Sequence, residues 1–132
     1  MFTVVDTGLA PSKGPVNGTV RAGDIVYMAH VPRDPRTGEM VQGDMKVQMR
    51  QKVQMRQTLS NMKQAVEAAG GTLRDVAQIV IYIVEAADAP AMNEVYKEFF
   101  SQPYPSRATV VVKELLSPGI RVELVAHAYL GK

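Results

Sequence analysis

The chain has 132 residues, an apolar fraction of 46%, a charged fraction of 21% and a formal net charge of +2. That length suits one domain, residues 1–132, large enough to bury a core of its own. The absence of cysteine excludes disulfides, a thiol nucleophile and thiolate-bound metal, no run nears the roughly 18 apolar residues that a membrane span needs, and so small a net charge implies no strong pull on nucleic acid.

Met1 to Asp6 has neither a basic n-region nor a long apolar stretch, which makes a cytoplasmic setting the expectation. Phe2, Val4 and Val5 suggest a short first strand. Gly8 to Gly18 reads as a loop because it holds Pro11, Gly14, Pro15 and Asn17. Thr19 to Arg21 and Asp24 to Ala29 read as strands around a turn at Ala22-Gly23, followed by a turn-rich loop from Pro32 to Gly38 and a brief strand at Met40-Val41. A long helix is predicted from an N-cap at Asp44 to Ala69, ended by Gly70-Gly71.

This helix contains a tandem repeat: Lys46 to Gln51 is followed at once by the identical Lys52 to Gln57. Six residues turn a helix by roughly 600°, so the second copy faces roughly 240° away from the first. Met55, Leu59, Met62 and Val66 form one apolar stripe, and Met45, Met49 and Val53 another, displaced by about 120°. One copy, most simply the first, is therefore not required for the core. It is either a tandem duplication without a role, or an extension, a loop or a contact with a neighbouring subunit. Lys46, Arg50, Lys52 and Arg56 fall on two faces, are expected to be solvated, and make no single stripe for nucleic acid.

Thr72 to Asp75 has the elements of a capping box. Val76 to Val84 is apolar at nearly every position and reads as a central, largely buried strand. A second helix is expected from an N-cap at Asp88, with Pro90 in its first turn and Met92, Val95, Tyr96 and Phe99 on its buried face. Pro103 to Tyr129 reads as two strands broken by Ser117-Pro118-Gly119. In the first, Val110, Val111 and Val112 suit a buried pleated surface. In the second, Ile120, Val122, Leu124, Ala126 and Ala128 alternate with more polar positions. The order of elements predicts an α+β layer: a mixed β-sheet with two helices packed on one face. The other face, rich in Val and Ile, calls for a partner, so a homo-oligomer is expected.

Two charges in the last strands carry the candidate chemistry. Arg107 opens a strand directly after the turn that Pro103 and Pro105 stiffen, and Glu123 sits between Val122 and Leu124. A pre-set arginine and a carboxylate in an apolar strand suit a small anionic substrate; ordinary strand charges and structural ion pairs occupy such places too. His30 and His127 have no second ligand at metal-binding spacing, and no phosphate loop or Ser-His-Asp arrangement is present.

Gly14-Pro15, Ala22 to Tyr27, Pro35 to Gly38, Gly43-Asp44, Arg56 to Met62, Val66 to Gly70, Met92 to Tyr96, Phe99-Phe100, Pro105 to Arg107 and Arg121 to Glu123 come in an order that covers nearly the whole chain. In them the sequence resembles the RidA (YjgF) family of imine and enamine deaminases. The resemblance implies a chorismate-mutase-like fold and a homotrimer with sites at the subunit interfaces. It also implies a small imine or enamine carboxylate as substrate, and because an imine carbon is already electrophilic its hydrolysis is expected to need no metal or cofactor. Arg107 matches the arginine that grips the substrate carboxylate, Glu123 the acid associated with the catalytic water, and Asn93 a site-supporting asparagine. The chain departs from the family at the pocket wall. Val16 stands where a tyrosine is frequent, Met28-Ala29-His30 replaces Ser-Gly-Gln, Thr109 replaces a frequent cysteine, and the repeat looks inserted. Val16, His30 and Thr109 are accordingly further candidates for substrate contact, His30 from a loop edge. The resemblance leaves two rivals to a deaminase: a trimer that binds small carboxylates without catalysis, and an RNA-cleaving or chaperone-like role that the sequence does not favour.

Overall fold

The computed structural model describes residues 1–43 and 47–131. Among the described residues, six strands form one sheet in the order β1-β2-β3-β6-β4-β5, made of β1 (Thr3–Val4), β2 (Thr19–Ala22), β3 (Ile25–His30), β4 (Val76–Ile83), β5 (Ser106–Val111) and β6 (Val122–Tyr129). Only β4 and β5 pair in parallel, joined across the crossover helix α2 (Ala89–Phe99). The long helix α1 (Val47–Ala68) links β3 to β4, and β6 pairs antiparallel with both. The chain is therefore the expected α+β mixed sheet with α1 and α2 packed together on it.

Strand periodicity sets the core. Along β6, Val122, Leu124, Ala126 and Ala128 are buried, while Glu123, Val125 and His127 on the alternate side are only half-buried. Along β4, Ile79, Ile81 and Ile83 face the helices. Val76 is buried too, although it is three residues from Ile79. A register shift between Val76 and Gln78 accommodates the extra residue, as a β-bulge does. Met55, Leu59, Met62 and Val66 fill the space above these strands, so the stripe predicted for α1 is the packed one.

Several expectations change. β4 is not central; β6 holds that place, and β4 lies next to the edge strand. Its continuous apolar run therefore marks one buried face and one half-covered face. The isoleucines all point to the helices, and the open side carries Val80, Tyr82, Val125 and His127 instead. Val110 and Val111 are exposed because β5 is an edge; Val112 lies beyond the strand. Met40 makes only an isolated bridge to Arg33. Asp44, Met45, Lys46 and the side chain of Met49 lie outside the described residues, so the N-cap and half of the second stripe expected there are not described.

From Val47 on, the repeat lies in one continuous helix, but its first copy does touch the core: Gln51 is fully buried. Its carboxamide has no hydrogen-bond partner. Lys52 and Arg56 of the second copy are paired rather than merely solvated, with Glu94 and Glu98 on α2; the Arg56 fork spans 3.1 and 2.7 Å. Gln54 clamps the approach to β6. Its Oε1 accepts from the Arg121 backbone N–H at 2.7 Å and its Nε2 donates to the Gly119 carbonyl at 2.9 Å. That diversion of the Arg121 amide from the sheet ladder explains why β6 starts at Val122 rather than Ile120.

Both turn predictions after α1 hold. Gly70 takes φ +99°, and the Gly71 amide donates back to the Val66 carbonyl. Thr72 and Asp75 form a reciprocal capping box. Asp88 is the N-cap residue of α2 but does not cap with its side chain. That buried carboxylate instead accepts two bonds from Arg121, Nε at 2.9 Å and Nη2 at 2.8 Å. Burial pushes the Asp88 carboxyl up, and the Arg121 guanidinium opposes the shift. Among the described residues, no helix is long and apolar enough to cross a membrane.

Candidate active site

The edge of the sheet presents Arg107. Pro103 and Pro105 lead into β5, with a cis bond between Gln102 and Pro103. In the parallel register Arg107 lies opposite Ile79 and Thr109 opposite Ile81, so both point to the helix side of the sheet. There α2 meets them. The Arg107 guanidinium lies over the Tyr96 ring, 4.6 Å from its centroid. Tyr96 in turn stacks on Phe100 at 4.7 Å and lies 6.3 Å from Tyr104. Tyr96, with these two ring neighbours, is thus the platform beneath an arginine that, among the described residues, has no salt-bridge partner.

A cavity of about 390 Å³ opens here, lined by Asn93, Tyr96, Lys97, Tyr104, Pro105 and Arg107. Helical spacing brings Asn93, Tyr96 and Lys97 to one side of α2, as i, i+3 and i+4. The Tyr96 hydroxyl is buried without a hydrogen-bond partner. Burial raises this phenol's pKa, and nearby Arg107 pulls the other way. Arrays of this kind grip a carboxylate: an unpaired planar fork, an amide beside it, and an apolar floor that limits competing water.

Glu123 is elsewhere. It lies opposite Tyr82 in the β4–β6 register, on the open side of the sheet. Arg107 and Glu123 of one chain therefore project to opposite faces, separated by β4. Half-burial alone pushes the Glu123 carboxyl up, with no charged partner contributing. A carboxyl raised in this way takes up a proton more readily than an ordinary one, which suits a group that moves protons.

The remaining candidates divide in the same way. Asn93 joins Arg107 in the cavity, whereas Thr109 is exposed two residues along the same edge and is not part of the lining. His30 is no loop-edge residue; it ends β3 with its ring turned inward and buried. Its Nε2 lies 3.3 Å from the Thr19 hydroxyl. Desolvation, reinforced by Arg33, lowers its pKa to about 4. Val16 is 62% exposed in the loop before β2. Neither His30 nor Val16 lines the Arg107 cavity. Tyr96, Tyr104 and Lys97 are the residues that sequence reasoning missed as site residues. The i, i+3, i+4 spacing from Asn93 is the signal that could have found two of them. Among the described residues, no group of three or more His, Asp or Glu side chains is placed to hold a metal ion.

Comparison with known proteins gives a consistent result. A family model described as Endoribonuclease L-PSP matches residues 7–130. A RutC family protein of Pyrococcus horikoshii is 39% identical over 131 residues, covering 98% of each chain. A protein of Dermatophagoides farinae named 2-iminobutanoate/2-iminopropanoate deaminase is 39% identical over 123 residues, covering 92% of this chain and 91% of that one. Among solved structures, RidA from the Antarctic bacterium Psychrobacter sp. PAMC 21119 superposes with a TM-score of 0.83 at 33% identity, covering 96% of this chain and 98% of that one.

Proposed function

Because this chain belongs to the Endoribonuclease L-PSP family, that of the RidA (YjgF) proteins, we propose that it hydrolyses small reactive imine or enamine acids to the 2-oxo acid and ammonia. The observation that carries this reading is the Arg107 fork, without a salt-bridge partner among the described residues and laid on Tyr96 at a cavity that also holds Asn93. The fork takes the substrate carboxylate with two parallel charge-assisted bonds and so fixes the C=N carbon. Water adds its oxygen to that carbon and protons pass to nitrogen. The C–N bond then breaks, ammonia leaves, and the carbon keeps oxygen as a carbonyl. An enamine is first protonated at carbon to give the imine. Glu123 moves the water's proton. These steps need only the chain's own residues and water.

Since Arg107 and Glu123 lie on opposite faces of one sheet, a site using both takes them from two chains. The reading therefore includes a homotrimer, in which the open sheet face is covered and the partner subunit's Glu123 meets Arg107. The setting proposed with it is the cytoplasm. The 39% identity to a protein named as a 2-iminobutanoate/2-iminopropanoate deaminase supports the chemistry. The test is ammonia release from imino acids generated in situ by an amino-acid oxidase. Wild type is expected to accelerate it, Arg107→Ala to abolish the acceleration, and Arg107→Lys to leave it lost, because a point charge does not replace a fork. Full activity in Arg107→Ala contradicts the assignment.

One observation favours a second reading. Within a single chain the cavity has an anion grip but no acid, which also describes a carboxylate-binding protein without hydrolysis. Binding of 2-oxo acids that depends on Arg107, with no ammonia release by wild type, would select it.

A further inference from the structure

Beside Arg107, the cavity is lined by a second cationic residue. Lys97 lines it one helical turn from Asn93, and among the described residues no carboxylate lines it. The acids of α2 that flank Lys97 are engaged elsewhere: Glu94 pairs with Lys52 and Glu98 takes the Arg56 fork. Among the described residues Lys97 has no salt-bridge partner. Within one chain two cationic side chains thus border one space, and a single substrate carboxylate engages one of them, while the partner subunit's Glu123 in the proposed site serves the reacting water. Their chemistry differs in a useful way. The Arg107 fork, set by its platform, suits a planar carboxylate held in one orientation. The Lys97 ammonium, on a flexible stem, suits a charge at a less fixed distance. The volume of about 390 Å³ lies within the range of sites that enclose whole small molecules.

We propose that the substrates are 2-imino dicarboxylates, the imines of acidic amino acids, with Arg107 on the carboxylate beside the imine and Lys97 on the distal one. This rests on the imine-hydrolase reading and adds the substrate class to it. The reaction is the same hydrolysis, and the distal carboxylate is a spectator that selects the substrate.

The experiment compares two imino acids of equal chain length, 2-iminopentanedioate and 2-iminopentanoate, generated in situ, and follows ammonia release. In parallel, calorimetry measures binding of the two matching 2-oxo acids. Wild type is expected to favour the dicarboxylate. In Lys97→Gln the dicarboxylate-to-monocarboxylate ratio of kcat/KM should fall about fivefold, the upper end for a solvent-facing ion pair, and further in Lys97→Glu. Lys97 is exposed, so neither variant removes core packing. A ratio that is the same in wild type and Lys97→Gln overturns the proposal. If it stays the same while Arg107→Ala abolishes both activities, only the dicarboxylate assignment falls. If wild type hydrolyses neither imine, the hydrolase reading falls. The binding ratio of the two oxo acids then decides the dicarboxylate pocket: a Lys97-dependent preference supports it, and equal binding overturns it.

Discussion

The two faces of the sheet are built from the same strands but differ in kind. The helix side takes Ile79, Ile81, Ile83, Leu124 and Ala126, all essentially inaccessible to solvent. The open side takes Val80, Tyr82, Glu123, Val125 and His127, none of them buried within the chain. One face is closed by α1 and α2; the other is half-covered and carries Glu123, the acid that the proposed chemistry uses. The difference shows where folding and function separate. Stability resides under the helices, while the acid lies on the open side, which in the proposed function a second copy covers.

The largest expected effects fall on function and leave the fold alone. Arg107→Ala should remove imine hydrolysis with little change in Tm, because the side chain is exposed at the edge. Glu123→Gln should slow turnover by on the order of a hundredfold while 2-oxo acid binding by calorimetry persists. Since burial raises the Glu123 carboxyl, the acid limb of the kcat profile should lie above the ordinary carboxylate range and vanish in Glu123→Gln.

Neighbouring positions on β6 sharpen the contrast next. Leu124→Ala opens a cavity under the helices and should cost about 2–5 kcal/mol in denaturant unfolding. Val125→Ala, one residue on but facing outward, should cost about 1 kcal/mol or less at fixed concentration and make the melt more concentration-dependent. Equal costs at the two positions would erase the distinction between the faces.

His30 tests the closed face by pH. Its folded pKa, about 4, lies below the ordinary value of 6.5, so the unfolded chain binds the proton more readily. Stability is therefore full above about pH 6.5 and falls as pH drops toward 4, by on the order of 3 kcal/mol. In His30→Gln that part of the pH dependence should disappear from the urea midpoints.

The smallest effect is expected at the repeat. Deleting Lys46 to Gln51 gives the same sequence as deleting Lys52 to Gln57, so one copy always remains next to Thr58. The loss removes a buried carboxamide with no partner, and the stability change should stay within about 1 kcal/mol. Unfolding at ambient temperature would make the extra turn a structural element.

The elements were legible in the sequence because their signals are local. The Met55–Val66 stripe, the Gly70-Gly71 stop, the Thr72 capping box and the alternation in β6 each depend on residues a few positions apart. What was not legible depended on pairing across long separations. Val76 to Val84 reads as buried on both faces because a sequence does not tell cover by its own helices from cover by another copy. Asp88 looked like a helix cap, yet Arg121, 33 residues away, claims it. His30 looked like a pocket edge, but the strand runs one residue further than its hydrophobic pattern and turns the ring inward. Arg107 and Glu123 were both visible as unusual charges, whereas the parallel register that sends them to opposite faces was not.

The most direct measurement is complementation between Arg107→Ala and Glu123→Gln chains. Alone, Arg107→Ala should be inactive and Glu123→Gln should keep only about a hundredth of the wild-type rate. Mixed by co-expression or by joint refolding, they should form assemblies in which some sites combine an intact Arg107 from one chain with an intact Glu123 from its neighbour. Random mixing in a cyclic assembly should restore roughly a quarter of the wild-type sites, read as ammonia release per subunit. Recovery near that level is the expected result. No recovery, in mixtures shown by mass spectrometry to contain both chains in one assembly, would contradict a site shared between subunits.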